Sequence, residues 1–131
     1  MQRKTLRAAA LGAALLATMA TTVLADSKDY EFQLVDKQVK QGEVTIAVKL
    51  VHKPSGRAIP DAVIFAKRID MGPDGMEEMT APLEAMPSKE PGVYLFKANL
   101  GMAGNWALSL GAKLQGEAGT VENKLTVQAT R

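Results

Sequence analysis

This sequence predicts an all-β fold, an antiparallel immunoglobulin-like β-sandwich of about seven strands. Three observations support the prediction. Apolar and polar residues alternate along most of the chain with the period of two that half-buried strands require. Short clusters of Gly, Pro, Ser and Asp interrupt the alternation at close intervals. Beyond the N-terminus, no stretch has a helical period of useful length.

The N-terminal element reads as a signal helix. Arg3, Lys4 and Arg7 precede an uncharged run of 17 residues, Ala8 to Leu24, which ends in the small-residue pattern Val23-Leu24-Ala25. That is the arrangement of an export signal cut after Ala25. The alternative is an uncleaved anchor in the inner membrane, and the run sits at the lower edge of what spans a bilayer. Cleavage leaves residues 26–131 as one domain, exported to the periplasm of a Gram-negative-type bacterium, with Asp26 to Asp29 as a loose tail. It also removes three positive charges, leaving thirteen Lys and Arg against fourteen Asp and Glu. A basic patch for nucleic acid or anionic lipid is therefore not expected.

The strands follow in turn. Tyr30, Phe32 and Leu34 alternate with Glu31 and Gln33, and Val44, Ile46, Val48 and Leu50 form a second run. Ala62 to Ile69 is a third, with Val63 and Phe65 on one face. Tyr94, Phe96, Ala98 and Leu100 share a face, as do Trp106, Leu108, Leu110, Ala112 and Leu114; Val121, Leu125 and Val127 make the last run. Thr80 to Met86 is the candidate seventh. Lys53-Pro54-Ser55-Gly56, Gly72-Pro73-Asp74-Gly75, Pro91-Gly92, Gly101 and Gly116 to Gly119 supply the turns. Tyr94, which opens a strand after Gly92, resembles the tyrosine corner of such sandwiches, where the hydroxyl bonds to backbone. Trp106 reads as a core anchor, with a ring contact to a ligand as the alternative.

The chain has no cysteine and one histidine, His52. Thiol chemistry, disulfides and the usual Cys/His zinc sites are excluded. No Ser-His-Asp set, paired carboxylates or phosphate-binding glycine loop is evident, so no enzyme activity is expected. His52 reads as a solvated turn residue. Asp70, Asp74, Glu77 and Glu78 lack the spacing of a calcium loop.

The suggestive chemistry lies in methionine. Met71, Met76, Met79 and Met86 crowd a window rich in Gly, Pro and acidic residues, expected to be a loop or an irregular edge, and Met102 lies in the turn before Trp106. A thioether is a soft, neutral ligand with no proton to lose, suited to Cu(I) and Ag(I). If the Met102 turn packs beside the methionine loop it adds a further sulfur, with Trp106 shielding the ion. The alternative is that these side chains fill space or form an adaptable docking surface.

Pro91-Gly92-Val93-Tyr94, then Met102-Ala103-Gly104-Asn105-Trp106 and a strand of alternating Leu resemble the YtkA-like/FixH-like family of exported domains, over roughly Gly42 to Ala129. Pro60-Asp61-Ala62 before Val63 fits as well. The resemblance implies an immunoglobulin-like sandwich outside the cytoplasm that assists copper handling, in heavy-metal efflux or in cuproenzyme assembly such as that of terminal oxidases. By the same resemblance Met71, Met76, Met79, Met86 and Met102 are the candidate ligands of copper(I). The expected partner is then a protein of the periplasm or of an adjoining membrane, with neither nucleic acid nor a small-molecule substrate involved. The second reading is a metal-free interaction module docking on a membrane complex through an apolar patch or an edge strand.

Overall fold

The computed structural model describes residues 27–116 and 119–131. The signal helix and its cleavage site lie outside the described residues. Ten strands follow: β1 (Tyr30–Leu34), β2 (Gln38–Lys40), β3 (Gly42–His52), β4 (Arg57–Ala58), β5 (Val63–Met71), β6 (Met76–Thr80), β7 (Leu83–Met86), β8 (Val93–Leu100), β9 (Gly104–Lys113) and β10 (Thr120–Thr130). The six long runs all appear, and the candidate seventh appears in part, as β7, with Thr80 belonging instead to β6. β2, β4 and β6 are additions. The first two are too short to display an alternation, and β6 carries Glu77-Glu78, the charges that blunt a sheet edge.

The strands form two sheets. One has the order β1-β3-β8-β7, with β4 also on β3; the other has the order β2-β10-β9-β5-β6. Every pairing is antiparallel except β2 with β10. This is the immunoglobulin arrangement. β1, β3, β8 and β7 take the A, B, E and D places, and β10, β9 and β5 take G, F and C. Between the sheets Phe32, Ile46, Val48, Leu50, Phe96 and Leu100 meet Ile69, Trp106, Leu108, Leu110, Ala112, Val121 and Val127 in one core. Each comes from an inward position of its strand, as the period of two requires.

β5 departs from a simple alternation. Val63 and Phe65 do share a face, but it is the outer one, and each is 55% exposed. A register shift between Ile64 and Ala66 resets the strand, so its inward residues further along are Ile69 and Met71. The Phe65 ring lies over Gly111, where an added Cβ would come within 3.0 Å of it.

Of the expected tail, Ser27–Asp29 are not loose, and Asp26 lies outside the described residues. Ser27–Asp29 form a 3-10 turn, and the Lys53 N–H donates to the Asp29 carbonyl at 2.7 Å. His52 ends β3, with Nδ1 2.8 Å from Ser55 Oγ and its ring 4.9 Å from that of Tyr30.

Tyr94 works by the mechanism of a tyrosine corner but elsewhere in the fold. It opens β8, and its hydroxyl donates to the Ile59 carbonyl at 2.8 Å and accepts from the Ala62 N–H at 3.0 Å. It therefore fastens the connection by which the chain leaves one sheet after β4 and enters the other at β5. Asp61, within that connection, has φ 63°, a left-handed conformation that Asp tolerates better than most residues. Gly92 lets the turn before β8 pass close to β4: a Cβ there would lie 2.5 Å from that of Ala58.

Candidate metal centre

The window from Met71 to Met86 is the irregular edge of the two alternatives, not the loop. Its Gly and Pro residues sit in the 3-10 turn Gly72–Asp74, closed by Gly75 at φ 77°, and at the β6–β7 crossing, where Pro82 stands. The residues between them are edge strands. β6 borders one sheet and β7 the other, so the four methionines are divided between sheets.

Met71 ends β5 and is 0% exposed, turned inward as part of the core. Met76 opens β6 as the cross-strand partner of Met71 and packs half-buried against the same core. Met79 lies in the irregular part of β6 and Met102 in the β8–β9 turn, each 39% exposed. Met86 is the outlier. It is 38% exposed on β7, opposite Leu95. Leu95 is five residues back from Leu100, and hence roughly 17 Å from the Met102 turn at 3.3 Å per residue. Five sulfurs therefore do not meet at one point. Met71, Met76 and Met102 share one end of the sandwich, with Met79 on the neighbouring edge.

That end is built from two turns. Trp106, 1% exposed at the start of β9, donates its indole N–H to the Met102 carbonyl at 3.1 Å, which fixes the backbone of the β8–β9 turn. The paired register of β5 and β9 ends at Asp70 with Ala107, so Met71 and Trp106 come next along the two strands. Trp106 is thus the core anchor expected of it, and it lies beneath the methionine end. In the β5–β6 turn, Asp74 Oδ2 accepts the backbone N–H of Asn105 at 2.8 Å, and Oδ1 accepts its side-chain amide at 3.1 Å. The Met102 turn therefore does pack beside the β5–β6 turn. Gly104 makes the approach possible. With φ 143°, a Cβ there would lie 2.6 Å from both Asp74 Oδ2 and Met71 Cε.

Two carboxylates of this end, Asp70 and Asp74, are occupied by the protein's own donors. The Asn105 backbone and side-chain N–H groups hold the Asp74 carboxyl below the usual range. The Gly72 N–H at 2.8 Å, opposed by burial and aided by Arg68 at 2.9 Å, does the same for Asp70. Among the described residues, no three His, Asp or Glu side chains gather as a metal-binding group. What this end offers a cation is soft sulfur rather than oxygen or imidazole. The sequence reading missed the Asp74–Asn105 contact. Gly72-Pro73-Asp74-Gly75 reads fully as a turn motif, and nothing local signals a partner 31 residues away.

Fold and site together define an immunoglobulin-like sandwich module with a methionine-bearing end. Residues 24–111 match the model of the YtkA-like family, well over half of the chain, and the chain belongs to that family. The match starts ahead of β1 and stops within β9; it takes in all five methionines and Trp106. No curated protein matches the chain. Among solved structures, the Lin-41 filamin domain is similar with a TM-score of 0.48 and 16% identity, over 81% of this chain and 96% of its own. The ZirS C-terminal domain is similar with a TM-score of 0.47 and 11% identity, over 95% of this chain and 88% of its own.

Proposed function

We propose that this YtkA-like sandwich is a non-enzymatic accessory domain of the periplasm. In this reading it takes up Cu(I) or Ag(I) at its methionine end and exchanges the ion with a protein of a metal-efflux or cuproenzyme-assembly complex. Met76 and Met102 are the primary ligands, Met79 an auxiliary one at the rim, and Met71 a sulfur behind them beside Trp106. Met86 has no part in the site. The observation that carries this reading is that the Met71–Met76 cross-strand pair and the Met102 turn share one end of the sandwich and are joined through Asp74 and Asn105. Thioethers keep their donor capacity in mild acid, where imidazole loses it to protonation, and an adaptable sulfur surface suits a transfer partner.

The test is competition titration of the purified protein with Cu(I) under reducing conditions. The expected result is about one ion bound, lost in Met76→Leu/Met102→Leu and kept in Met86→Leu. Leu keeps side-chain volume and removes the donor, so stability should change by less than about 1.5 kcal/mol per site. Absence of Cu(I) binding by the parent, or undiminished binding by the double variant, would overturn the reading.

The exposed pair Val63 and Phe65 on the outer face of β5 supports a second, metal-free reading in which that face docks on a membrane complex. Partner capture that survives the methionine double variant and is lost with Phe65→Lys would favour it.

A further inference from the structure

We infer that Asp74 is the positioning residue of the methionine end, a latch that holds the Met102 turn against the Met71–Met76 hairpin. The inference rests on the metal-binding reading above and adds a residue that cannot itself serve as a soft ligand.

The two turns belong to strands far apart in sequence. Apart from the core beneath them, Asp74 joins them directly, with both carboxylate oxygens engaged by Asn105. Asn105 lies three residues after Met102 and one before Trp106. Fixing its backbone N–H thus fixes the strand start from which the Met102 turn departs, while the Trp106 indole holds the turn's carbonyl from below. On the other side, Asp74 lies three residues after Met71 and two before Met76. One side chain therefore sets the spacing between the hairpin sulfurs and the turn sulfur. The closeness is measurable at Gly104. Asp74 Oδ2 and Met71 Cε each lie 2.6 Å from the point a Cβ would occupy, so the carboxylate and the methyl are at most 5.2 Å apart. With both oxygens taken up by Asn105, Asp74 acts through geometry and leaves coordination to sulfur. It stands to the thioethers as an outer-shell hydrogen-bond partner stands to a ligating His, and loss of such partners lowers metal affinity about 10- to 100-fold.

The conservative variant separates position from charge. In Asp74→Asn the new amide oxygen accepts the Asn105 N–H. Its NH2 donates to the Asn105 side-chain oxygen once that amide turns over, so the latch survives without the charge. Asp74→Ala removes both bonds. Three measurements on the purified protein decide the matter: Cu(I) affinity, hydrogen exchange at the Asn105 amide in metal-free protein, and emission of the single Trp106. The expected result is that Asp74→Ala exposes the Asn105 amide to exchange, shifts Trp106 emission and weakens Cu(I) binding by about 10- to 100-fold, with Asp74→Asn close to the parent in all three. Undisturbed exchange and emission in Asp74→Ala would overturn the latch whether or not metal binds. Equal loss of affinity in both variants would overturn it in favour of charge. A parent that binds no Cu(I) would overturn the metal reading, and with it the latch's role there.

Discussion

The two ends of the sandwich solve the same problem with opposite chemistry. At one end Tyr94 ties down the β4–β5 connection with one hydrogen bond given and one received. At the other, Asp74 ties the β5–β6 turn to the start of β9 with two bonds received. Tyr94 is neutral and partly buried, and burial pushes its hydroxyl pKa up, so its charge state is constant over any ordinary pH. Asp74 is charged and solvent-facing. A partly buried neutral tie suits permanent structure, because leaving its half-shielded backbone partners unpaired carries a cost. An exposed charged tie exchanges readily with water. The contrast is between a tie that is partly shielded and uncharged and one that holds its turn from the solvent side with a charge.

Four substitutions or conditions would break or sharpen this contrast. The largest effect is expected from Trp106→Ala, which empties the floor of the methionine end and should lower unfolding stability by about 3–5 kcal/mol in a urea titration. A drop below about 1 kcal/mol would mean that this end is not seated on the core as described. Gly104→Ala comes next. Its methyl would collide with Asp74 and Met71 at a φ that side chains rarely adopt, for a loss of about 2 kcal/mol read in the same titration.

Tyr94→Phe keeps the ring against Phe32 and removes only the two bonds, so a loss of about 1–2 kcal/mol is expected. The smallest effect is the pH dependence of the Asp74 end. Its folded-state carboxyl pKa is depressed, so the stabilisation is fully present above the ordinary value of 3.8 and is lost as pH falls through the folded value. Thermal unfolding should therefore show no Asp74-dependent change between neutral pH and about pH 5, and a shallower acid slope in Asp74→Asn than in the parent. A pH slope that already differs between parent and Asp74→Asn near neutrality would contradict the assignment.

Much of the architecture was legible because its cause is local. Tyr30-Phe32-Leu34 and Trp106-Leu108-Leu110-Ala112 show their inward faces directly, since a strand with one buried face must alternate. β5 was legible only as a strand. Its register shift after Ile64 turns Val63 and Phe65 outward, and no rule of alternation foresees a bulge. The methionine window was legible only as a loop or an irregular edge, for a related reason. Gly, Pro and Glu serve loops and protected sheet edges alike, and only the sheet order shows that β6 and β7 belong to different sheets. The importance of Tyr94 was visible in the sequence, but its partners were not. Met71 shows the limit most clearly, because as a thioether it is equally a ligand and a core filler, and which it is depends on what packs over it.

Among the described residues the sole parallel pairing, β2 with β10, joins an early segment of the chain to a late one. Gln38–Lys40 have their register on Gln128–Thr130, and the same β10 closes the edge of β9. Until the ribosome has delivered residue 130, an early segment has nothing to bind and a central strand stands with a bare flank. The β2–β10 pairing, between residues 90 apart in sequence, is therefore a contact of the kind that forms slowly.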